Sequence, residues 1–263
     1  MKNKTMIKLN IKRRMTALML VLLMGVMGLS LTGCGGGSVD LEKGGRSDVT
    51  LSQALEANPD AAWFKVKSID KDANVDQVYY FENGQVTHYD ISTAGIKLGQ
   101  IGDMSREDII AASVKSWEDT IERHIDDWEQ DPILNEAWAN FKESVKLPDD
   151  TSPALPYTLE FYTDGSGNYV ETERLVIPYM FTEDATDHDV FMVYYGLGDG
   201  IILTEDTISF KFTYGGYMGQ VYDIDYGGFV TEKGNMFITK ASPDTTLVLD
   251  ELGTEGIAVD PQD

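Results

Sequence analysis

Ile208, Phe210, Phe212 and Tyr214 alternate strictly with Ser209, Lys211 and Thr213, and this period of two is the tightest constraint the sequence places on its fold. Successive side chains of a strand point to opposite faces, so the segment 208–215 is expected to be a strand with one buried and one wet face. Related segments fill the chain from Tyr157 to its end. Tyr157, Leu159 and Phe161 alternate with polar residues, and a DGSGN turn leads into a second strand through Leu175 to Met180. VFMVYYG (190–196), IILTE (201–205), QVYDIDYG (220–227), MFITK (236–240) and TTLVLDEL (245–252) follow at short spacing. Short strands so spaced predict an antiparallel β-sandwich or a partly closed β-barrel. Strands and helices do not alternate repeatedly, which argues against a two-lobed solute receptor.

Residues 62–91 hold three further apolar runs, AWFKVKSI, QVYYF and VTHYDI, separated by DKDANVD and ENGQ. Asn83-Gly84 suits a type I′ turn, whose two central residues both need positive φ. A three-stranded antiparallel meander is therefore expected. Ser105 and Asp108 have the spacing of a capping box with Asp in place of Glu. Ile110, Val114, Trp117, Ile121, Ile125 and Trp128 then recur at steps of three or four, one face of a long helix. After Asp131-Pro132, a cap and first helical position, Leu134, Trp138, Phe141 and Val145 mark a second helix. The fold class is thus α+β: the meander, a helical hairpin packing its Trp-rich stripes on a sheet, and the strand-rich remainder.

Cys34 is the single cysteine of 263 residues, so no disulfide can form within the chain and the fold must hold by its core. The chain has 4 Trp, 13 Tyr and 10 Phe, and all of them follow Cys34. Before it, MKNKTMIKLNIKRR is basic and MTALMLVLLMGVMGLSLTG is apolar, the order of an export signal. No acidic residue precedes Asp40, which leaves the basic head on the cytoplasmic side. The apolar run is close to the ~20 residues that span a bilayer, so its length also fits an uncleaved anchor. The cysteine at its end, behind Leu31-Thr32-Gly33 and ahead of three glycines, distinguishes the two. Leu31-Thr32-Gly33-Cys34 resembles the lipobox of bacterial lipoproteins. The resemblance implies that residues 1–33 are a signal peptide removed by signal peptidase II, and that the Cys34 sulfur carries a diacylglyceryl group. The new amino group would often be acylated too, with a fatty acid such as palmitate. On this reading residues 34–48 are the lipidated cysteine and a flexible tether, and 49–263 are one extracytoplasmic domain at the cell membrane. Two acyl chains hold where one is marginal, each buried CH₂ contributing about 0.8 kcal/mol.

Residues 1–33 carry six basic residues and no acidic one, so their removal moves the formal charge from −23 to −29. A body so acidic is repelled by nucleic acid and by anionic headgroups. Nucleic acid is excluded as a partner; the membrane, through the lipid anchor, and a glycan or envelope protein are the expected ones. The stretch VYDIDYGGFVTEKGNMFITKASPDTTLVLDELGTEGIAVDP, with VYYFENGQVTHYD, resembles small, uncharacterised lipoproteins of Gram-positive bacteria. That resemblance implies no role for any residue beyond Cys34.

Histidines occur only at 88, 124 and 188, and no metalloprotease, serine-hydrolase or phosphate-loop motif is present. Hard cations take clustered oxygens, so calcium is the cofactor the acid excess brings into question. Asp70-x-Asp72-x-Asn74 and Asp164-x-Ser166-x-Asn168 begin like calcium loops. They fail at the sixth position (Val75, Tyr169) and at the twelfth (Phe81, Leu175). Glu183, Asp184, Asp187 and Asp189 form a candidate calcium loop, against a plain solvated loop. The third candidate is TYGGYMGQVYDIDYGGF, residues 213–229. If Tyr222, Ile224 and Tyr226 face inward, Asp223 and Asp225 share the outer face roughly 7 Å apart. Tyr217, Tyr222, Asp223, Asp225 and Tyr226 would then form a glycan-binding surface, with aromatic faces for the sugar and acids for its hydroxyls. The plainer alternative is core tyrosines behind a wet acidic face. Three functions follow: a lipid-anchored binding protein, a carboxylate-dependent hydrolase of cell-wall or glycan material, and a structural or assembly lipoprotein without a ligand site.

Overall fold

The computed structural model describes residues 39–44, 48–129, 154–183, 190–191 and 203–260. Their strands are β1 (Val49–Thr50), β2 (Trp63–Val66), β3 (Val75–Glu82), β4 (Gln85–Asp90), β5 (Leu155–Pro156), β6 (Thr158–Thr163) and β7 (Val170–Glu183). They continue with β8 (Val190–Phe191), β9 (Leu203–Val221), β10 (Ile224–Thr231), β11 (Met236–Lys240), β12 (Leu247–Val248) and β13 (Ala258–Asp260). The helices are α1 (Leu51–Leu55), α2 (Leu98–Ile101) and α3 (Arg106–Glu129).

The expected meander is present as β2-β3-β4, and its second turn has Asn83 and Gly84 at φ 52° and 74°. It does not stand apart from the later strands. Among the described residues it continues one large sheet in the order β13-β6-β7-β9-β10-β11-β2-β3-β4-β5, with β8 on β7. The sheet is mixed: β13 runs parallel to β6 and the other pairs are antiparallel. A second, two-stranded sheet pairs β1 with β12 in parallel.

In place of the expected sandwich or partly closed barrel of antiparallel strands stands one large mixed sheet that is not closed into a barrel, and the geometry shows why. Three strands lie between β9 and β3 in the ladder, so in a flat sheet they would be about 19 Å apart at ~4.8 Å per strand. Yet the rings of Phe210 and Tyr79 meet at 5.5 Å, so the sheet curls onto its own aromatic face. The ladder remains open because β5 ends after two residues at Pro156, which has no N–H to donate. Tyr157 then carries the chain from β5 on β4 to β6 on β7.

The concave face buries Trp63, Phe81, Phe210, Phe212, Phe229 and Phe237, with Trp63 stacked 5.0 Å from Phe237. The convex face buries Phe64, Val78, Tyr80, Tyr226 and Ile238 under α2 and the start of α3. Neighbours such as Trp63 and Phe64, or Phe237 and Ile238, therefore belong to different cores. This is why β2, β3 and β11 read as continuous apolar runs, whereas the 208–214 segment, covered on one face, alternates. Tyr214 departs from that alternation and is about half exposed. The β9–β10 pairing shifts register at Gly215-Gly216, where a Cβ on Gly215 would stand 2.3 Å from the Leu247 carbonyl.

Helix α3 starts where expected. Ser105 Oγ accepts from Asp108 N–H at 3.2 Å, and the Asp108 carboxylate accepts from Ser105 N–H at 3.1 Å. Its buried face is not led by Ile110 and Val114, which are only partly covered, but by Ile109, Ser113 and Ser116. Small residues let the helix approach closely, and Thr93 joins the Ser116 hydroxyl at 2.7 Å. The second helix expected from Leu134, Trp138, Phe141 and Val145 lies outside the described residues, as do Cys34 and the leader. Residues 39–44, within the stretch expected to be tether, pack on the domain: Leu41 is buried and its carbonyl accepts from Ser242 N–H at 2.7 Å. Among the described residues no helix is long and apolar enough to cross a membrane.

Candidate functional site

Val221 and Ile224 pair across β9 and β10, leaving Tyr222-Asp223 as a two-residue turn. Tyr222 adopts φ 55°, a region where a bulky side chain is an outlier. The ring edge and the Lys71 carbonyl each lie 3.0 Å from where a Cβ on Gly99 would be, so α2 packs closely beneath the turn. Past the turn, Asp225 C=O accepts from Ala241 N–H at 3.1 Å and draws the segment after β11 alongside β10. The Leu41 contact to Ser242 brings Glu42 to the same place. The result is an open cleft of about 240 Å³ lined by Glu42, Asp223, Ile224, Asp225, Lys240, Ala241, Ser242 and Pro243. Lys240 makes no ion pair with a described residue. Three acidic residues, a lysine and a serine thus line one cleft from three chain segments. Carboxylates accept hydrogen bonds from hydroxyls and amines, and the ammonium donates. Such a lining suits a small, many-hydroxyl ligand.

Of the five residues proposed for this surface, Asp223 and Asp225 are brought together in the cleft. Tyr222, expected to face inward, is instead about two-thirds exposed beside it, because it forms the turn. Tyr217 lies further along β9, opposite Gly228, and does not line the cleft. Tyr226 is fully buried on the convex side, its ring 6.3 Å from Phe64. Burial, and then the nearby Asp103, push the Tyr226 hydroxyl up to about 12.

Glu183 ends β7, while Asp184, Asp187 and Asp189 lie outside the described residues. Among the described residues no three His, Cys, Asp or Glu side chains converge as metal ligands. The two loops that begin like calcium sites use their oxygens locally. Asp70 Oδ1 accepts from Asp72 N–H at 2.8 Å, and Asn74 Oδ1 accepts from the Lys97 ammonium. Asp164 accepts from the Ser166 hydroxyl at 2.8 Å and from Asn168 N–H at 3.2 Å. The Ser166 hydroxyl, with backbone N–H groups, holds Asp164 below the usual carboxylate range. His88 is buried and stacked 4.6 Å from Tyr79, and burial, then Lys65, push it down to about 3.

A second acidic pair escaped sequence reasoning. Glu173 on β7 is fully buried and Asp250, just past β12, is nearly so. Asp250 N–H donates to Glu173 Oε2 at 3.0 Å, and the Asp250 carboxylate accepts from Ser52 N–H at 2.8 Å and Ser52 Oγ at 2.6 Å. Burial, followed by the charge of Asp250, pushes Glu173 up to about 8. One signal was available: Glu173 shares the inward parity of Leu175 and Ile177. Comparisons with protein-family models, with curated proteins and with solved structures found no match to this chain.

Proposed function

We propose that this chain is a lipid-anchored extracytoplasmic binding protein whose open cleft at Asp223 and Asp225 holds a hydroxyl-rich ligand, a glycan of the cell envelope or a glycan-bearing envelope protein. The observation that carries the reading is the convergence of Glu42, Asp223, Asp225, Lys240 and Ser242 at an accessible place. The leader and the lipobox at Cys34 supply the attachment and the address. Leu41 is packed on the domain only seven positions after Cys34. A fully extended chain covers at most about 25 Å in that distance, which keeps the cleft near the bilayer surface.

The second reading, a carboxylate-dependent glycan hydrolase, is favoured by the presence of two carboxylates in one cleft. Acid catalysis needs a carboxyl kept protonated near neutral pH and reachable by substrate. Glu173 meets the first condition and fails the second, since it is sealed in the core away from the cleft. Binding is therefore the first choice. Soluble fragments of envelope glycan titrated against the lipidated protein should give saturable heat that Asp223→Asn with Asp225→Asn removes. New reducing ends in the same mixture would establish the hydrolase instead. Absence of both would leave the structural or assembly role. Metabolic fatty-acid labelling lost in Cys34→Ser tests the anchor separately.

A further inference from the structure

Asp250 joins three parts of the fold that are distant in sequence. Its carboxylate receives both donors of Ser52 in α1, and its N–H donates to Glu173 on β7. Beyond Asp250 the chain is tied down sparsely. Glu251, Leu252 and Gly253 are exposed, Leu249 and Ile257 are partly buried, and three residue pairs connect β13 to β6. The arm 249–260 thus depends on its anchor at Asp250 and on that short parallel ladder.

We propose that Glu173 and Asp250 share a single proton and form a pH-operated clasp that fastens the carboxy-terminal arm to the sheet and to α1. The two residues are in direct contact, Asp250 N–H lying 3.0 Å from Glu173 Oε2, and when both carboxyl groups are ionised neither has a proton to offer the other. Glu173 Oε1 is buried without a hydrogen-bond partner. No described cation pairs with either group. The surroundings do not offset a second charge: Ser52 faces the pair from α1, and Phe161 and Phe212 flank Glu173 from β6 and β9. Beyond α1 lies Glu56, which accepts from the Tyr157 hydroxyl at 2.7 Å; burial, then Glu56 and Asp250, keep that hydroxyl protonated and neutral. One proton turns repulsion into a hydrogen bond. Its loss to solvent leaves two like charges in a dry site, and the arm, the least buried partner, separates and uncovers the edge of β6. The high position of Glu173 in pH agrees with this.

Hydrogen exchange on the full chain at pH 6 and pH 9, corrected for the base-catalysed rate of free peptide, tests the clasp. Protection of residues 250 and 258–260 should fall at least tenfold in the native chain and by less than twofold in Glu173→Gln, which keeps a neutral group at both pH values. Equal protection of the native arm at the two pH values, or an equal loss in Glu173→Gln, would overturn the clasp. Infrared absorption supplies a readout independent of variant folding. The carbonyl stretch of a protonated buried carboxyl should be present in the native chain at pH 6 and bleach reversibly by pH 9. Its absence at pH 6 would also overturn the proposal.

Discussion

Glu173 with Asp250 and Asp223 with Asp225 are two carboxylate pairs in one domain, and they differ in nearly everything except residue type. The first pair is sealed behind the concave aromatic core and joins elements more than seventy residues apart. The second lies on one hairpin, two positions apart, in an open cleft with Lys240 and Ser242. Removing a charge from water costs several kcal/mol unless it is neutralised or well hydrogen-bonded, so the sealed pair must hold a proton and use every donor within reach. The cleft pair remains open to solvent, with its lone pairs accessible. Proximity of two acids therefore says little about role until solvent access is known.

The largest expected effect separates the two pairs by stability. Asp250→Ala strands the Ser52 N–H and hydroxyl and should cost about 3 kcal/mol. Asp223→Ala should change stability by no more than about 0.5 kcal/mol. Urea midpoints of the two variants measure this, and similar costs would erase the distinction.

A pH series sharpens it. Glu173 is raised from 4.5 to about 8, so its contribution is complete below pH 4.5 and is lost as pH rises through 8. His88 is lowered from 6.5 to about 3, so its contribution is complete above pH 6.5 and is lost as pH falls towards 3. The two slopes oppose each other between 4.5 and 6.5 and give a plateau. Above pH 6.5 Glu173 acts alone, and stability should fall by about 1.4 kcal/mol per pH unit up to pH 8. Glu173→Gln should flatten that limb and leave the acid limb in place, as followed by thermal midpoints.

Glu56 is an intermediate case. It is half-buried and accepts from Asn83 N–H and Gly84 N–H, both at 2.9 Å, and from the Tyr157 hydroxyl, clamping the meander turn. Glu56→Ala should cost about 1.5 kcal/mol, between the two extremes, and should speed exchange of those two amides. The smallest effect has the opposite sign. Tyr222→Gly relieves a bulky residue at positive φ and should stabilise the fold by about 0.5 kcal/mol while weakening ligand binding at the cleft rim. A loss of stability would mean that the ring packing against Gly99 outweighs the backbone strain.

Local pattern made the local elements legible. Asn83-Gly84 announced its turn, Ser105 and Asp108 announced the start of α3, and the 208–212 alternation announced a one-faced strand. The curl of the sheet was not legible, because it depends on Phe210 meeting Tyr79 across three intervening strands, a contact no window of sequence contains. The same holds for α3, where the polar Ser113 and Ser116 are buried by a close approach that hydrophobic spacing does not register. At the site, Asp223 and Asp225 could be read from the hairpin, but Glu42, Lys240 and Ser242 join them only through long-range backbone bonds. Of the tyrosines expected to face inward and to serve the binding surface, Tyr226 is inward and fully buried, which removes it from that surface, whereas Tyr222 is exposed because it forms the turn.

Amide chemical-shift mapping of the chain during titration with soluble envelope-glycan fragments distinguishes an open pair that binds from a sealed pair that holds the fold. Saturable shifts should concentrate at residues 42, 222–225 and 240–243, with Glu173 and Asp250 unmoved. Shifts centred on 173 and 250, or none at 223–225 while fragments bind elsewhere, would contradict that division of roles.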